Sequence, residues 1–439
     1  MKWKAIYSLM AGLLGVLSLP AQDSTRLPSG PVWDLAACLA YAKAHNITLG
    51  SLRLTSKSGE QDLIQSRTAR YPNLGGNVSQ SLTNYSSGPN SGRFPSSGYG
   101  ISSSVTLYNG GYLNNDIKQK QLSLTAANLN VQAAENDITL QITQAYLNIL
   151  LAKENIVYLQ DLINTTQAQV TQGQQRFDAG TLAQKDLLEL KAVLANDQYT
   201  LVTAQNAIRQ NILTLKQVLQ LPTDTPFDVS PADTLQTKTL AAPLAQAQQT
   251  ALDTRPEIKS SELGVQVAEV NIEKARAGLR PTLTLGGSLS TGYNKDPAYK
   301  YFPQLNNNFY QQLGLTLAIP ILDRKVTRTN VERARIQTDQ AKLELQNNKL
   351  VLTQAIEQAW LNAQNAQGQY NAAVIQLGYT QEAYRIANEQ LKIGVYNTVE
   401  YLQQKNLYIQ ALQSYVQAKY ASELYTRIYN FYIGVPVTQ

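Results

Sequence analysis

The segment Gln144-Ala145-Tyr146-Leu147-Asn148 returns as Gln358-Ala359-Trp360-Leu361-Asn362, 214 residues further on. The same offset relates Gly180 to Gly394, Asp186 to Glu400, Leu188 to Leu402, Lys191 to Lys405 and Pro222 to Pro436. No gap is needed from Leu107 to Pro222. Upstream the offset is 209, pairing Arg67 with Arg276 and Pro72 with Pro281, so a loop of different length is expected between Pro72 and Leu107. Self-similarity of this kind marks one architectural unit used twice. The chain divides into a leader, 1–21, a first repeat, 22–222, and a second, 244–439. The stretch 223–243 between them holds Pro226, Pro231 and Pro243 and reads as a linker.

Proline placement locates the helices, since none occurs from Ser96 to Leu221 or from Ile321 to Val435. In the first copy Ile138, Ile142, Ala145, Ile149, Ala152, Ile156, Leu159 and Ile163 alternate steps of four and three. Leu352, Ile356, Ala359, Ala363, Ala366, Tyr370, Ala373 and Leu377 repeat the pattern in the second. A 3.5-residue period is a coiled-coil seam. The patterns begin near residues 113 and 326 and run to Gly180 and Gly394. About 65 residues at 1.5 Å each make a rod of roughly 100 Å. A second helix of about 38 residues then returns, so each copy holds a long helical hairpin with a glycine at its tip.

A different period precedes each long helix. Leu74, Gly76, Val78 and Leu82 alternate with Gly75, Asn77, Ser79, Ser81 and Thr83, and Ile101, Val105 and Leu107 with Ser102, Ser104 and Thr106. The second copy sets Leu283, Leu285 and Leu289 against Thr282, Thr284, Ser288 and Ser290, then Leu313, Leu315, Leu317 and Ile319 against Gly314 and Thr316. These are period-two strands, in hairpins at about 73–108 and 281–320, joined by Ser-Gly-Pro-rich loops 86–97 and 294–306. Tyr85, Tyr99, Tyr108, Tyr293, Tyr301 and Tyr310 cluster at the strand ends.

Met1-Lys2-Trp3-Lys4, the uncharged apolar run Ala5–Leu17 and Ser18-Leu19-Pro20-Ala21 have the form of a secretory signal peptide cleaved after Ala21. The run is too short for a transmembrane helix, which needs about 20 apolar residues. Leu35-Ala36-Ala37-Cys38 has the spelling of a lipidation box, but Ser29–Asp34 separate it from the apolar run. Asp34 reads instead as an N-cap, with Cys38 inside the first helix and His45 near its end. One Cys and one His exclude a disulfide, a multi-Cys zinc site and a His-cluster metal centre, and no cofactor is expected. The lone His and the lack of a Gly-x-Ser-x-Gly elbow argue against an enzyme. The net charge is +6, or +4 without the leader, with no tight basic run, so no nucleic-acid partner is expected. Arg324, Lys325, Arg328, Arg333 and Arg335 gather at the start of the second long helix, as a solvated face or as a contact to lipid phosphates.

Export, together with strands apolar on one face and Ser/Thr/Asn/Gly on the other, favours a membrane β-barrel over surface hairpins. Four strands cannot close, and lipid forbids an open edge. Three chains would give twelve strands, an even count inside the observed range.

These residues resemble the TolC-type outer-membrane efflux proteins. The resemblance rests on Asp34–Asn46, Arg255-Pro256-Glu257-Ile258, Ala275–Pro281, Leu317–Asp323 and Arg176-Phe177-Asp178-Ala179-Gly180 in that family's order. It covers essentially the whole mature chain. It implies a mostly α protein with membrane β: a trimeric twelve-stranded outer-membrane β-barrel, four strands per chain, continuing into a long periplasmic α-helical barrel. It also implies a homotrimer, outer-membrane lipid around the barrel, a periplasmic adaptor and an inner-membrane pump of the RND or ABC type. The duct would serve efflux or type I secretion. A secreted coiled-coil protein without channel activity is the alternative.

The family's gate lies just past the tip glycines. By the resemblance Asp186 and Glu400 match gate acids of the first and second tips, and Leu391 and Tyr396 stand where other members place a Tyr and an Arg. Gln403 replaces a further acid, so the charged network is incomplete. Gly180, Thr181 and Leu182, with Gly394 and Val395, resemble the segments that meet adaptor hairpins. The alternatives are turn geometry for the glycines and helix-dipole charge for the acids.

Overall fold

The computed structural model describes residues 32–87, 92–230, 240–295 and 300–437. The leader expected at 1–21 and part of the expected linker, 231–239, lie outside them. β1 (Val32–Trp33) leads to Asp34, whose carboxylate accepts a hydrogen bond from Ala37 N at 2.7 Å and caps α1 (Leu35–His45). Cys38 is fully buried on α1. Burial, reinforced by the charge of Asp34, pushes its thiol up to about 12, so it is inert. His45 stacks on Tyr41 in the last turn, with ring centroids 4.2 Å apart.

α2 (Ile47–Thr68) leads into the hairpin β2 (Asn73–Tyr85) and β3 (Gly92–Asn109). α3 (Tyr112–Asp178) and α4 (Gln184–Leu219) form the first long hairpin. β4 (Asp228–Val229) pairs in parallel with β1. After α5 (Leu244–Thr254) and α6 (Pro256–Ala277) comes β5 (Thr282–Asn294), a short helix α7 (Tyr301–Asn307) and β6 (Tyr310–Ala318). α8 (Val326–Lys392) and α9 (Thr398–Tyr432) form the second long hairpin. α3 and α8 each have 67 residues, about 100 Å by helix rise. The 3.5-period residues Ile142, Ala145, Ile149, Ala152, Leu159 and Ile163 are buried on α3. Leu352, Ile356, Ala359, Ala363, Ala366 and Ala373 are buried on α8. No helix among the described residues is long and apolar enough to cross a membrane.

The strands form one antiparallel sheet in the order β2-β3-β5-β6. Its register collects side chains by type. Gly76, Ile101, Leu289 and Gln311 lie in one cross-strand row, Val105, Leu285 and Leu315 in another, and Tyr108, Leu283 and Leu317 in a third. The rows between them hold Asn77 with Gly100 and Ser290, Gly75 with Ser102, Ser288 and Gln312, and Ser104 with Gly286 and Gly314. One face of the sheet is therefore apolar and the other small and polar. Three details differ from the expectation. A bulge between Thr106 and Tyr108 leaves Leu107 unpaired and passes the apolar register to Tyr108. Residues 92–97, expected as loop, extend β3, and residues 301–306, also expected as loop, belong to the helix α7.

α7 takes over where β6 stops. β6 pairs with β5 only as far as Ser290, opposite Tyr310. Beyond it, Asn308 Nδ2 donates to Gly292 O at 2.8 Å and Asn294 N donates to Gln304 Oε1 at 3.0 Å. Tyr301 joins Tyr99 through their hydroxyls at 2.7 Å and packs on Tyr293, so three of the strand-end tyrosines meet on the apolar face.

Each sheet-to-helix turn uses two left-handed residues. Between β3 and α3 these are Gly110 and Gly111, at φ 68° and 92°. The corresponding turn between β6 and α8 has Arg324 and Lys325, at φ 51° and 66°. A side chain in this conformation costs about 1–2 kcal/mol. Gly110 has no choice, because a Cβ there would lie 2.6 Å from Ala277 O and 2.8 Å from Arg280 Cβ. Gly110→Ala is expected to lower stability by about 2 kcal/mol or more, combining overpacking with backbone strain. Lys325→Gly should raise it by about 1 kcal/mol. Thermal melts of the purified variants against the parent check both; a neutral Gly110→Ala would contradict the crowding.

Candidate functional site

Both long hairpins turn in the same way. Gly180, at φ 74°, follows α3, with Gly180 N donating to Phe177 O at 2.9 Å and Thr181 N to Arg176 O at 2.8 Å. Gly394, at φ 77°, follows α8, with Gly394 N donating to Leu391 O at 3.2 Å and Val395 N to Gln390 O at 3.0 Å. These are paired Schellman closures, for which glycine is the favoured residue. Gly180, Thr181, Gly394 and Val395 are exposed, and Val395 and Ile393 keep 68% and 74% of their surface. Leu182 is turned inward. Its side chain lies with Leu187 and Leu190 over Gly173 of α3, where a Cβ would meet Leu190 at 2.9 Å and Leu182 at 3.5 Å.

Just past the turns stand the two acids. Asp186 is half-buried in the first turn of α4, which has no side-chain N-cap. Glu400 is exposed in the first turn of α9 and belongs to a capping box: Glu400 N donates to Asn397 Oδ1 at 2.8 Å, and Asn397 N to Glu400 Oε2 at 3.4 Å. Leu391 and Tyr396 are half-buried. The Leu391 carbonyl accepts from Arg176 Nη1 at 3.5 Å, a thread between the two tips that sequence reasoning did not single out.

Above the tips lies a buried polar junction. Lys405 of α9 is fully buried, and its Nζ donates to Asp197 Oδ2 of α4 at 2.8 Å and to Thr166 Oγ1 of α3 at 2.7 Å. The Thr166 hydroxyl also lies 2.7 Å from Asp197 Oδ2. One turn nearer the tip, Gln169 of α3 donates to Asn388 of α8 at 3.2 Å and to the Tyr401 hydroxyl. Tyr401 and Tyr384 hydroxyls are 3.0 Å apart, and Tyr384 stacks on Tyr408. Burial pulls Lys405 below its ordinary pKa, and the bond and charge of Asp197 oppose that shift. Higher up, Lys419 of α9 holds Glu154 of α3 at 2.8 and 2.9 Å. These contacts fasten the two hairpins to one another along their length.

The chain matches the family described as Outer membrane efflux protein over residues 39–219 and 247–423, and it belongs to that family. The family is one of channel proteins. The chain is 22% identical to Protein CyaE of Bordetella pertussis over 90% of its length and 81% of that protein's. It is also 22% identical to Outer membrane efflux protein BepC of Brucella suis, over 88% and 82% of the two chains. Among solved structures, its fold matches CusC with a TM-score of 0.81 at 20% identity, covering 96% of this chain and 97% of that one. It matches the open state of the Neisseria gonorrhoeae MtrE outer membrane channel with a TM-score of 0.78 at 18% identity, covering 92% and 89%.

Removing one partner of a buried ion pair leaves the other charge uncompensated. Lys405→Met is therefore expected to lose about 3–5 kcal/mol, and Lys405→Met with Asp197→Leu to recover most of it. Denaturant or thermal melts check this; equal losses in both variants would show that the charge pair is not what matters.

Proposed function

We propose that this protein is the outer-membrane exit duct of a tripartite efflux pump or type I secretion system. It passively exports small molecules or polypeptides delivered by an inner-membrane pump of the RND or ABC type through a periplasmic adaptor. The observation that carries this reading is the two-faced sheet with open edges. Leu74, Val78, Leu313 and Leu315 expose 78%, 76%, 80% and 64% of their surface on β2 and β6. Every residue of β6 is exposed, and β2 and β6 each have a free edge. Closing edge on edge among three copies would put the apolar face on lipid and the Ser/Thr/Gly face around a water-filled lumen. The helical hairpins would continue the ring as a periplasmic tube. Exposed Tyr379, Tyr199 and Leu343 on them, at 77%, 73% and 65%, are surface for neighbouring subunits to cover. The family's two matched stretches, 39–219 and 247–423, support the division into repeats 22–222 and 244–439 around a linker, 223–243.

Cysteines placed at Ser79 on β2 and Thr316 on β6 test the closure. The single native thiol is buried and unreactive, so the background is clean. A bifunctional thiol reagent applied to outer membranes should trap three chains; only monomers and dimers, with full labelling of both sites, would sink the reading.

The tips carry the rest. Gly180, Thr181, Gly394 and Val395 form the exposed end available to adaptor hairpins, with Leu182 setting the shape of the first turn from within. Asp186 and Glu400 would place two sets of three acids around the constriction of a trimer, with Leu391 and Tyr396 packed beside them. Such a ring draws cations and should make the pore cation-selective. Asp186→Asn with Glu400→Gln should abolish most of that selectivity, because Gln preserves the capping box. Planar-bilayer recordings at two salt concentrations decide it; unchanged selectivity would leave the acids as helix-terminal charges only.

A further inference from the structure

We propose that Arg324 and Lys325, with Arg328, bind phospholipid phosphates of the periplasmic leaflet where the chain leaves the membrane. The proposal rests on the reading of the sheet as an outer-membrane barrel. The backbone at this turn is strained, with Arg324 and Lys325 both left-handed. The corresponding turn of the first half places Gly110 and Gly111 in the same left-handed conformation, so the backbone geometry itself is met by glycine. The second half keeps the geometry but carries two long basic side chains through it.

Among the described residues, the other non-glycine residue with positive φ shows what ordinary compensation looks like. Gln220, at φ 57°, ends α4, where the second half has Gly434 at φ 91°. The Gln220 side chain accepts from Ile47 N at 2.8 Å and so secures the start of α2. Arg324 and Lys325 have no such return among the described residues. Both are exposed, and neither they nor Arg328 form an ion pair or a side-chain hydrogen bond among the described residues. The adjacent carboxylate is committed elsewhere: Asp323 accepts from Lys325 N at 3.1 Å and Thr327 N at 2.8 Å. Glu332 pairs with Arg335 at 2.9 Å.

The surroundings specify the ligand. Ile321 and Leu322, directly before the basic pair, expose 94% and 88% of their surface and continue the apolar face that ends with Leu317 and Ile319. Apolar side chains followed at once by cations match the step from acyl chain to phosphate. A neighbouring subunit offers a poorer partner. The stretch that the 209-residue offset equates with Ala277–Arg280, the wall against Gly110, is Thr68–Tyr71. That stretch, with Arg67 before it, contains Arg70 and no acid. The guanidinium and ammonium groups therefore face a phosphodiester anion rather than a protein carboxylate.

The test compares the full mature protein with R324G/K325G, a change that restores the glycine pair and relieves strain. Each is purified in detergent, offered phosphatidylglycerol or phosphatidylcholine of identical acyl chains, and its retained lipid read by native mass spectrometry. The parent should prefer phosphatidylglycerol by roughly tenfold, with the preference falling at high salt. The variant should lose that preference while melting no earlier in lipid-free detergent. A variant that keeps the preference overturns the proposal, as does equal retention of both lipids by the parent. So does a variant whose assembly weakens without lipid, which would make the pair a contact between subunits. Retention of neither lipid by the parent would remove the barrel reading and the proposal with it.

Discussion

A backbone in hydrocarbon must satisfy every N–H and C=O, and an unpaired one costs several kcal/mol. The sheet β2-β3-β5-β6 meets that demand inside and fails it at its two edges. Among the described residues, nothing covers its apolar face over β2 and β6. A single copy is thus unsuited both to water and to lipid, and joining edges removes both faults at once. The far end of β5 shows how strictly the rule is kept. Where β6 stops, the side chains of Gln304 in α7 and of Asn308 just after it bond Asn294 and Gly292 in its place. Since each strand pair runs into a long helix through a short fixed turn, the radius chosen at the sheet would be inherited by the helical tube.

The two halves share that plan and diverge where their neighbours differ. Gly110 is walled in by Ala277 and Arg280, so its turn admits no side chain. The turn at Arg324 and Lys325 stands open and admits two. At the ends of α4 and α9 the difference is reversed, with Gln220 in the first half and Gly434 in the second. Left-handed side chains thus stand where the surroundings leave room for a Cβ, and crowding enforces glycine at Gly110.

Long elements were legible because they leave long records. A proline-free stretch with a 3.5-residue seam allowed the 67-residue helices to be read, and two-residue alternation allowed the strands. Short or non-periodic features left no such record. The bulge at Leu107 adds one residue to one strand, which alternation cannot anticipate. α7 has seven residues, too few to show a period. The junction at Lys405 was hidden for another reason. Lys191 occupies the corresponding place in the first half, yet it is exposed and bonds only Gln174, at 3.0 Å. What separates the two lysines is a partner 208 residues away in sequence, Asp197, whose own counterpart is the buried Ala411. Sequence shows the lysine twice but not which copy is buried against an acid.

That junction bears on how the tips can move. A buried pair is held by the cost of separating it, because either charge alone would be stranded in low dielectric. Lys405, Asp197 and Thr166 therefore act as a pin through α9, α4 and α3. From Thr398, the first residue of α9, to Lys405 is about 10 Å by helix rise. Below the pin and the Gln169–Tyr401 layer, the hydrogen bond between the hairpins among the described residues is Arg176 to the Leu391 carbonyl, a long contact at 3.5 Å. Resistance to separation thus drops sharply over the last two turns, where Asp186, Glu400, Leu391 and Tyr396 lie. The proposed gate would then need no ring of ion pairs at the tips to hold it shut. In the proposed trimer the stiff element would stand just above the tips, and the short free ends would rearrange while the helices behind them keep their shape.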